Sequence, residues 1–299
     1  MHPGFQALAA LSTGIYFSGL TYFKLTAADM PPLRGSRPWH LVRELLGNRM
    51  WVAGSVFIAV GAAVQTVALT RLSLFQAQPM FLAGLAILLV LAVPILRERL
   101  TSREWGCVLL LGIATALFAH AVPADEGAAP GIALPGASLV VAVALPSLLV
   151  ASAGFLASDL SRKGAHARPL TGVALAINVG ILTGTGEVLL TGAADIVNSA
   201  RVLATTPYLY LFAVTALLAL GQLQIALQRS RLAIVGLVAT ATAKTYLLIV
   251  ATVLYGEGWP DHRAQTIVAL ALSVLAVAAV PHHERRTPPS RLDRSPCIR

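Results

Sequence analysis

The chain has 299 residues, of which 57% are hydrophobic and only 12% are charged, about half the charged fraction of soluble globular domains. Apolar runs of about 18 residues or more recur along it, and each is long enough to cross the hydrocarbon core of a bilayer as a helix. This composition excludes an ordinary soluble domain and predicts an all-α, multi-pass protein of a cell membrane.

The net charge of +9 does not indicate nucleic-acid binding, because most basic residues lie in short segments beside apolar runs, where they orient membrane insertion. The two cysteines, Cys107 and Cys297, fall in different environments and form neither a disulfide framework nor a metal-binding spacing. We find no nucleophile and base at a catalytic spacing and no phosphate-binding loop. The sequence therefore predicts no enzyme activity, no cofactor and no metal site.

Nine transmembrane spans are predicted, at about 5–23, 50–70, 74–96, 105–122, 138–158, 170–190, 208–227, 232–255 and 264–280. The first is interpreted as a retained helix, since basic residues follow it and none precedes it, the reverse of a signal peptide. The polar stretch 26–49 is predicted as a cytoplasmic loop whose part from Trp39 to Leu46 lies along the membrane surface as a short amphipathic helix. Residues 282–299 are predicted to be a disordered cytoplasmic tail.

Assigning alternate loops to alternate sides places nearly all basic residues on one side of the membrane. Only Arg71, Arg201 and Arg263 fall on the other side, and Lys244 falls inside a span. Because the cytoplasmic side carries the excess of Lys and Arg, the N-terminus is predicted outside and the C-terminus inside.

A sequence repeat relates the second span to the seventh. Ala226, Leu227, Arg229 and Leu232 repeat the spacing of Ala68, Leu69, Arg71 and Leu74, and Glu257 falls on Glu98 after one further residue. Five spans separate each matched pair, so the second copy is inverted, as in many secondary transporters. We expect a first repeat at 1–122 with four spans, and a second half at 123–281 with five spans, of which 170–281 is the repeat equivalent.

Several segments resemble the drug/metabolite transporter superfamily, in its EamA-like branch, over about residues 5–281. They are Gln76 to Pro79, Glu98 after the third span, and Tyr255-Gly256-Glu257 after the eighth. In that superfamily, an acid-containing turn that follows one span and precedes a glycine-bearing span occurs once in each half. The resemblance implies a carrier of ten helices built as an inverted repeat, one helix more than the nine predicted here. Either one span is missing from the first half, or the fifth span is a connector between two four-span repeats. Pro79 has no counterpart at Leu237, which makes the halves unequal.

The predicted count of nine spans, together with the segments 49–54 and 65–69, is also similar to NIPA-type magnesium transporters. Mg²⁺ requires several oxygen ligands with carboxylate help, whereas the predicted membrane interior offers one acid and a competing ammonium group. A magnesium carrier is therefore retained as an alternative to an organic-solute carrier.

Lys244 and Glu187 are the leading candidates for a substrate-binding or coupling site. Lys244 lies about twelve residues, or roughly 18 Å, into its span, and an ionisable group at such depth indicates function. Glu187 lies roughly 25 Å into a span that runs in the same direction. The alternatives are that Lys244 is a structural ion-pair partner and that span six ends before Glu187.

The remaining candidates are polar groups at similar depth. They are Thr183 on the face of Glu187, Tyr16 in the first span, Gln76 and Gln78 beside Pro79, and position 241, which is Ala241 and is flanked by Thr240 and Thr242. Gly180 and Gly184 share the face of Glu187 and are expected to allow close helix approach or to line a cavity. Gln65, Gln222 and Gln224 are expected to bond across helices.

The predicted function is secondary active transport of a small organic metabolite or drug-like solute by alternating access, with proton exchange by Glu187 and Lys244 as a means of coupling. The expected partners are this solute and the lipid bilayer. A third hypothesis is an accessory membrane protein without transport activity, in which both charges only tune stability.

Overall fold

The computed structural model describes residues 3–31, 33, 38–69, 95–96, 101–121, 137–160, 168–196, 206–254 and 262–279. Predictions for the other residues, including the third span, Gln76, Gln78, Glu98, Glu257 and the tail, lie outside the described part. Within these ranges all regular secondary structure is helical, which confirms the all-α prediction. The helices are α1 Pro3–Asp29, α2 Pro38–Gly47, α3 Arg49–Leu69, α4 Ser102–Ala121, α5 Ala137–Leu160, α6 Arg168–Ile196, α7 Pro207–Arg229, α8 Leu232–Leu254 and α9 Arg263–Ala278.

Three helical segments of the described part are long and apolar enough to cross a membrane: Arg49–Ala68, Gly172–Leu190 and Pro207–Arg229. Shorter apolar segments occupy Val140–Leu156, Leu232–Leu247 and Arg263–Ala278. These lengths and compositions indicate a membrane protein.

Glycine residues set the contact between α1 and α3. A Cβ atom added to Gly19 would lie 2.7 Å from the carbonyl oxygen of Gly54, and one added to Gly61 would lie 3.0 Å from the carbonyl oxygen of Ser12. Such distances exist only where two backbones pack without an intervening side chain. Because Ser12 faces Gly61 and Gly19 faces Gly54, the two helices are antiparallel.

The second half of the chain is built around α6, which contacts α3, α5, α7 and α8. A Cβ atom at Gly192 would lie 2.5 Å from the ring of Tyr208, and one at Gly172 would meet the side chain of Ser230, so α6 and α7 are antiparallel. Asn178 donates to the carbonyl of Ala151 in α5 over 3.2 Å. α6 therefore fixes the positions of its neighbours through its small and polar residues.

One end of the bundle is basic. Lys24 near the end of α1, Arg229 at the end of α7, and the starts of α3 and α6 lie there together, as their helix directions and contacts require. The start of α4 joins them, because Arg231 Nη1 lies 3.4 Å from both carboxyl oxygens of the buried Glu104. Among the described residues, this end therefore holds Lys24, Arg43, Arg49, Arg103, Arg168, Arg229 and Arg231.

A group of polar bonds between α1 and α7 closes the basic end. Lys24 Nζ donates to the carbonyl oxygens of Leu227 at 2.9 Å and Ser230 at 2.8 Å. Gln228 accepts from the backbone N–H of Leu33 at 2.9 Å and donates to the carbonyl of Pro31 at 3.1 Å. A cation at the end of a helix satisfies its last carbonyl groups and opposes its dipole. We call these contacts, with the Arg231–Glu104 pair, the basic-end clasp.

Candidate functional site

A cavity of about 160 Å³ lies among α1, α3, α6, α7 and α8. This is roughly ten times the space that one buried water molecule needs, so a small organic solute or a water cluster fits within it. Most of its wall is apolar, contributed by residues such as Phe17, Leu20, Phe212, Leu220 and Leu223. An apolar wall with a few polar groups is the usual form of a small-molecule site.

The polar groups on the wall come from all five helices. They are Thr13 and Tyr16 of α1, Gln65 of α3, Thr183 and Glu187 of α6, Thr215 of α7, and Thr240 and Lys244 of α8. The Thr13 and Thr215 hydroxyls donate to the carbonyls of Ala9 and Leu211 in their own helices, each at 2.7 Å, so their hydrogen-bonding capacity is partly used. The other six side chains, Tyr16, Gln65, Thr183, Glu187, Thr240 and Lys244, also contribute polar groups to the wall.

Close packing of α6 against α8 positions the two charged groups. A Cβ atom added to Gly180 would lie 2.6 Å from the carbonyl oxygen of Ala239, and one added to Gly184 would lie 2.6 Å from the ring of Tyr246. The helices are parallel, because the later glycine meets the later part of α8. The following turn of α6 carries Glu187 into the cavity, where its carboxyl group interacts electrostatically with the Lys244 ammonium group.

Further polar side chains surround Glu187. The phenol of Tyr16 interacts with the side chain of Thr183 and with the charge of Glu187. The amide of Gln65 approaches the Glu187 carboxyl group, although no geometrically satisfactory hydrogen bond joins its buried Nε2 atom to a described residue. First-half helices thus supply a phenol and an amide to an acid carried by the second half.

The structure brings Lys244, Glu187, Thr183 and Tyr16 to one cavity, and their role as a binding or coupling site stays a prediction. α6 continues to Ile196, so it does not end before Glu187. Gln76 and Gln78 lie outside the described residues. At position 241, Ala241 is buried and has no side-chain polar group, so it does not fit the predicted role, whereas the neighbouring Thr240 lines the cavity.

Gln65 lines the cavity, where its amide approaches the Glu187 carboxyl group of another helix, so the expectation that it bonds across helices stays a prediction. The sequence repeat indicates that this face of α3 is turned toward the cavity. Ile58, Ala62 and Gln65 of α3 correspond to Ala216, Leu220 and Leu223 of α7, and all six line the cavity. Because the repeat matches these residues in pairs, it predicts that the two helices turn equivalent faces toward the same cavity.

The other two amides behave as predicted. Gln224 Nε2 donates to the carbonyl of Phe23 in α1 at 3.3 Å, and Gln222 Nε2 lies 3.5 Å from the carbonyl of Ala151 in α5. Each amide therefore joins α7 to another helix, as expected for polar groups that link helices inside a membrane.

A second polar cluster holds α5, α6 and α8 together beside the cavity. The Tyr246 hydroxyl lies 2.7 Å from Oγ of Ser147 and accepts from Oγ1 of Thr185 at 3.1 Å. Ser147 follows Pro146, which α5 accommodates without interruption. Because Tyr246 also covers Gly184, this cluster fixes the part of α8 that carries Lys244.

The cavity holds one carboxyl group and one amine among its described lining residues. Such a pair can exchange a proton internally, or each group can bind an oppositely charged group of a solute. The described residues contain no group of three or more His, Cys, Asp or Glu side chains close enough to share a metal ion. Comparison of the chain with protein-family models, with curated proteins and with solved structures found no match.

Proposed function

We propose that the protein is a secondary active transporter of a small organic metabolite or drug-like solute, which it moves by alternating access with proton exchange at Glu187 and Lys244. The observation that carries this proposal is the cavity that both halves of the chain enclose around an acid and an amine. Paired charges facing a cavity inside a membrane bundle typically mark substrate or proton pathways. We assign the protein, on the same basis, to a fold of the drug/metabolite transporter type.

The helix contacts support an inverted repeat. If span one corresponds to span six and span two to span seven, the antiparallel α1–α3 pair corresponds to the antiparallel α6–α7 pair. The same correspondence relates the contact between α1 and α7 to a contact between α6 and α3, and both contacts are present. α4 contacts α9, which is its equivalent in the repeat. Two such halves can rock around a central site.

The distribution of charge supports nine spans with the N-terminus outside and the C-terminus inside. α9 contacts α4 and runs antiparallel to it, since Ala276 shares a buried cluster with Cys107 and Ala269 shares a different one with Phe118. Arg263 at the start of α9 therefore lies at the end opposite the basic one, away from the other basic residues at the described helix ends. The basic end is then the cytoplasmic one.

Charge balance in the cavity supports coupling to protons. A cation that entered beside Glu187 would share an apolar site with the Lys244 ammonium group, and two cations facing one carboxylate are unfavourable at low dielectric. Release of a proton from Lys244 removes that imbalance. A solute without net charge needs no such release. Proton flux that accompanies solute flux therefore indicates a cationic solute, and solute flux without proton flux indicates a neutral one.

The basic-end clasp supports a state in which the cavity is closed toward the cytoplasm. Leu20, Leu223 and Leu232 form the cavity wall nearest that end. Beyond them lie the fully buried Phe23 and Leu227, and then Lys24 with its bonds to α7. Opening this end requires the separation of α1 and α4 from α7.

Replacing Lys24 with methionine should loosen the clasp, because the last carbonyl groups of α7 lose a charged donor. We expect a loss of stability of about 1–2 kcal/mol. Val235 lines the cavity, so we also expect faster labelling of Val235→Cys by a membrane-impermeant maleimide applied from the cytoplasmic side. The background would carry Cys107→Ala and Cys297→Ser. Arg103→Gln, which removes an exposed cation from the same end, is the control and should label like the parent. Unchanged labelling in Lys24→Met would refute this gate.

A screen of metabolites and drug-like compounds for thermal stabilisation of the purified protein would identify solutes for flux measurements in proteoliposomes. The proposal fails if compounds that stabilise the protein are not moved across the bilayer by it. Magnesium uptake driven by the protein would favour the NIPA-like alternative. An exchange of the Glu187 and Lys244 charges that left cellular function intact would favour the accessory protein.

A further inference from the structure

The short helix α2 presents an outward apolar face at the basic end. Trp39, Val42 and Leu46 are 85%, 41% and 63% exposed, whereas Leu45 is 4% exposed and packs into the core with Trp51. Residues spaced three, four and seven apart share one face of a helix, so the three exposed side chains form a single stripe. α2 therefore packs the face that carries Leu45 against the bundle. The described residues leave uncovered the face that carries Trp39, Val42 and Leu46.

The turn after α2 fixes the direction of this stripe. Asn48 accepts with its side-chain oxygen from the backbone N–H groups of Met50 at 3.0 Å and Trp51 at 3.1 Å, and its own N–H donates to the carbonyl of Leu45 at 3.2 Å. It thus caps α3 and ends α2 at the same time. With a single residue between the helices, α2 cannot turn freely about α3.

Exposed positive charges border the stripe. Arg43 lies one turn after Trp39, and Arg49 begins α3 directly after the cap; both are exposed. Among the described residues, the acids nearby are Glu44, which lies 3.8 Å from His40 on the other side of α2, the exposed Asp29 at the end of α1, and the buried Glu104, which pairs with Arg231. With Arg103 also exposed at this end, the charge surrounding the stripe is positive.

We propose that α2 docks onto the bilayer surface and binds anionic phospholipids. Trp39, Val42 and Leu46 insert among the acyl chains next to the headgroups, and Arg43 and Arg49 bind the phosphate groups. A helix of 10 residues is about 15 Å long, too short to cross the membrane, and an apolar stripe beside cationic side chains is the pattern of an interfacial helix. The anionic headgroups of a cytoplasmic leaflet supply the complementary charge.

Tryptophan quenching in nanodiscs of the full-length protein tests the insertion. In discs of phosphatidylcholine brominated near the headgroup, the wild type should show a quenched component that Trp39→Phe lacks. This difference isolates Trp39 from the other three tryptophans. If Trp39→Phe and the wild type are quenched equally, Trp39 does not enter the bilayer and the proposal is overturned. Efficient disulfide cross-linking of Trp39→Cys between two copies would likewise overturn it and assign the stripe to a protein dimer.

Lipid selectivity is tested with brominated phosphatidylglycerol as a minor component of unbrominated phosphatidylcholine. The wild type should show stronger Trp39 quenching than random mixing gives, because the anionic lipid accumulates at α2. In Arg43→Gln/Arg49→Gln the enrichment should fall roughly fivefold for each arginine removed. Arg263→Gln, at the opposite end, is the matched control and should retain it. Equal enrichment in the wild type and the double variant would overturn the role of the arginines.

Discussion

Replacing Lys244 with methionine is expected to abolish coupled solute flux in proteoliposomes and to destabilise the protein by about 3 kcal/mol. Methionine keeps most of the side-chain volume and removes the ammonium group, so Glu187 retains its place in an apolar cavity without its cationic neighbour. Loss of one partner from a buried ion pair typically costs about 3–5 kcal/mol, and the polar groups around Glu187 reduce that penalty. Flux would be measured with the compound that most stabilises the wild type.

A double variant separates transport from stability. Lys244→Met/Glu187→Gln removes both charges, so much of the lost stability should return, whereas flux should not. Thr245→Val is the matched control, because Thr245 follows Lys244 in α8, donates to the carbonyl of Ala241 at 2.9 Å and is not part of the cavity wall. It should transport at the wild-type rate. Wild-type flux in Lys244→Met would remove the amine from the mechanism.

Replacing Gly180 with alanine is expected to destabilise the protein by about 1–2 kcal/mol and to lower flux severalfold. The added methyl group would lie 2.6 Å from the carbonyl oxygen of Ala239 and equally close to Cβ of Thr242. The backbone contact cannot be relieved by a rotamer change, so α6 and α8 must separate. Overpacking costs about 1–3 kcal/mol, which exceeds the gain of up to about 1 kcal/mol in helix propensity. The separation also moves Glu187 away from Lys244.

Gly186 provides a control of opposite sign on the same helix. A Cβ atom there would make an ordinary contact of 3.7 Å with Phe212. Helix propensity then dominates, so Gly186→Ala should raise the melting temperature slightly while Gly180→Ala lowers it. Thermal denaturation of the purified variants measures both. If Gly180→Ala raised the melting temperature as much as Gly186→Ala, the α6–α8 contact would tolerate a methyl group.

The described helices follow the predicted spans because hydrophobic length is a local property of the sequence. The amphipathic segment from Trp39 to Leu46 could be predicted for the same reason, and it corresponds to α2. α1 extends beyond the predicted end of the first span at residue 23 and ends at Asp29. The part of α1 beyond that point begins with Lys24, whose ammonium group bonds to the carbonyl groups at the end of α7. That partner is about 200 residues away in the chain and leaves no local pattern.

The candidate site was partly predictable. Depth along a span identified Lys244 and Glu187, since a charge far from both surfaces has few explanations. That Gln65 lines the cavity could not be predicted from its depth in the span, because its direction depends on the rotation of α3 about its own axis, which close contacts at Gly54 and Gly61 determine. Amides suit both helix contacts and cavities, so residue type alone could not decide between the two.

The bond between Lys24 and α7 determines how the basic end of the bundle responds to its surroundings. Main-chain oxygens neither take up protons in the physiological range nor exchange counterions, unlike the carboxylate of an ordinary ion pair. Because the bond is partly buried, dissolved salt also screens it weakly. Neither acidification nor a change of ionic strength should by itself break the two bonds from Lys24 to the carbonyl groups of Leu227 and Ser230, so we expect these bonds to break when α7 moves away from α1.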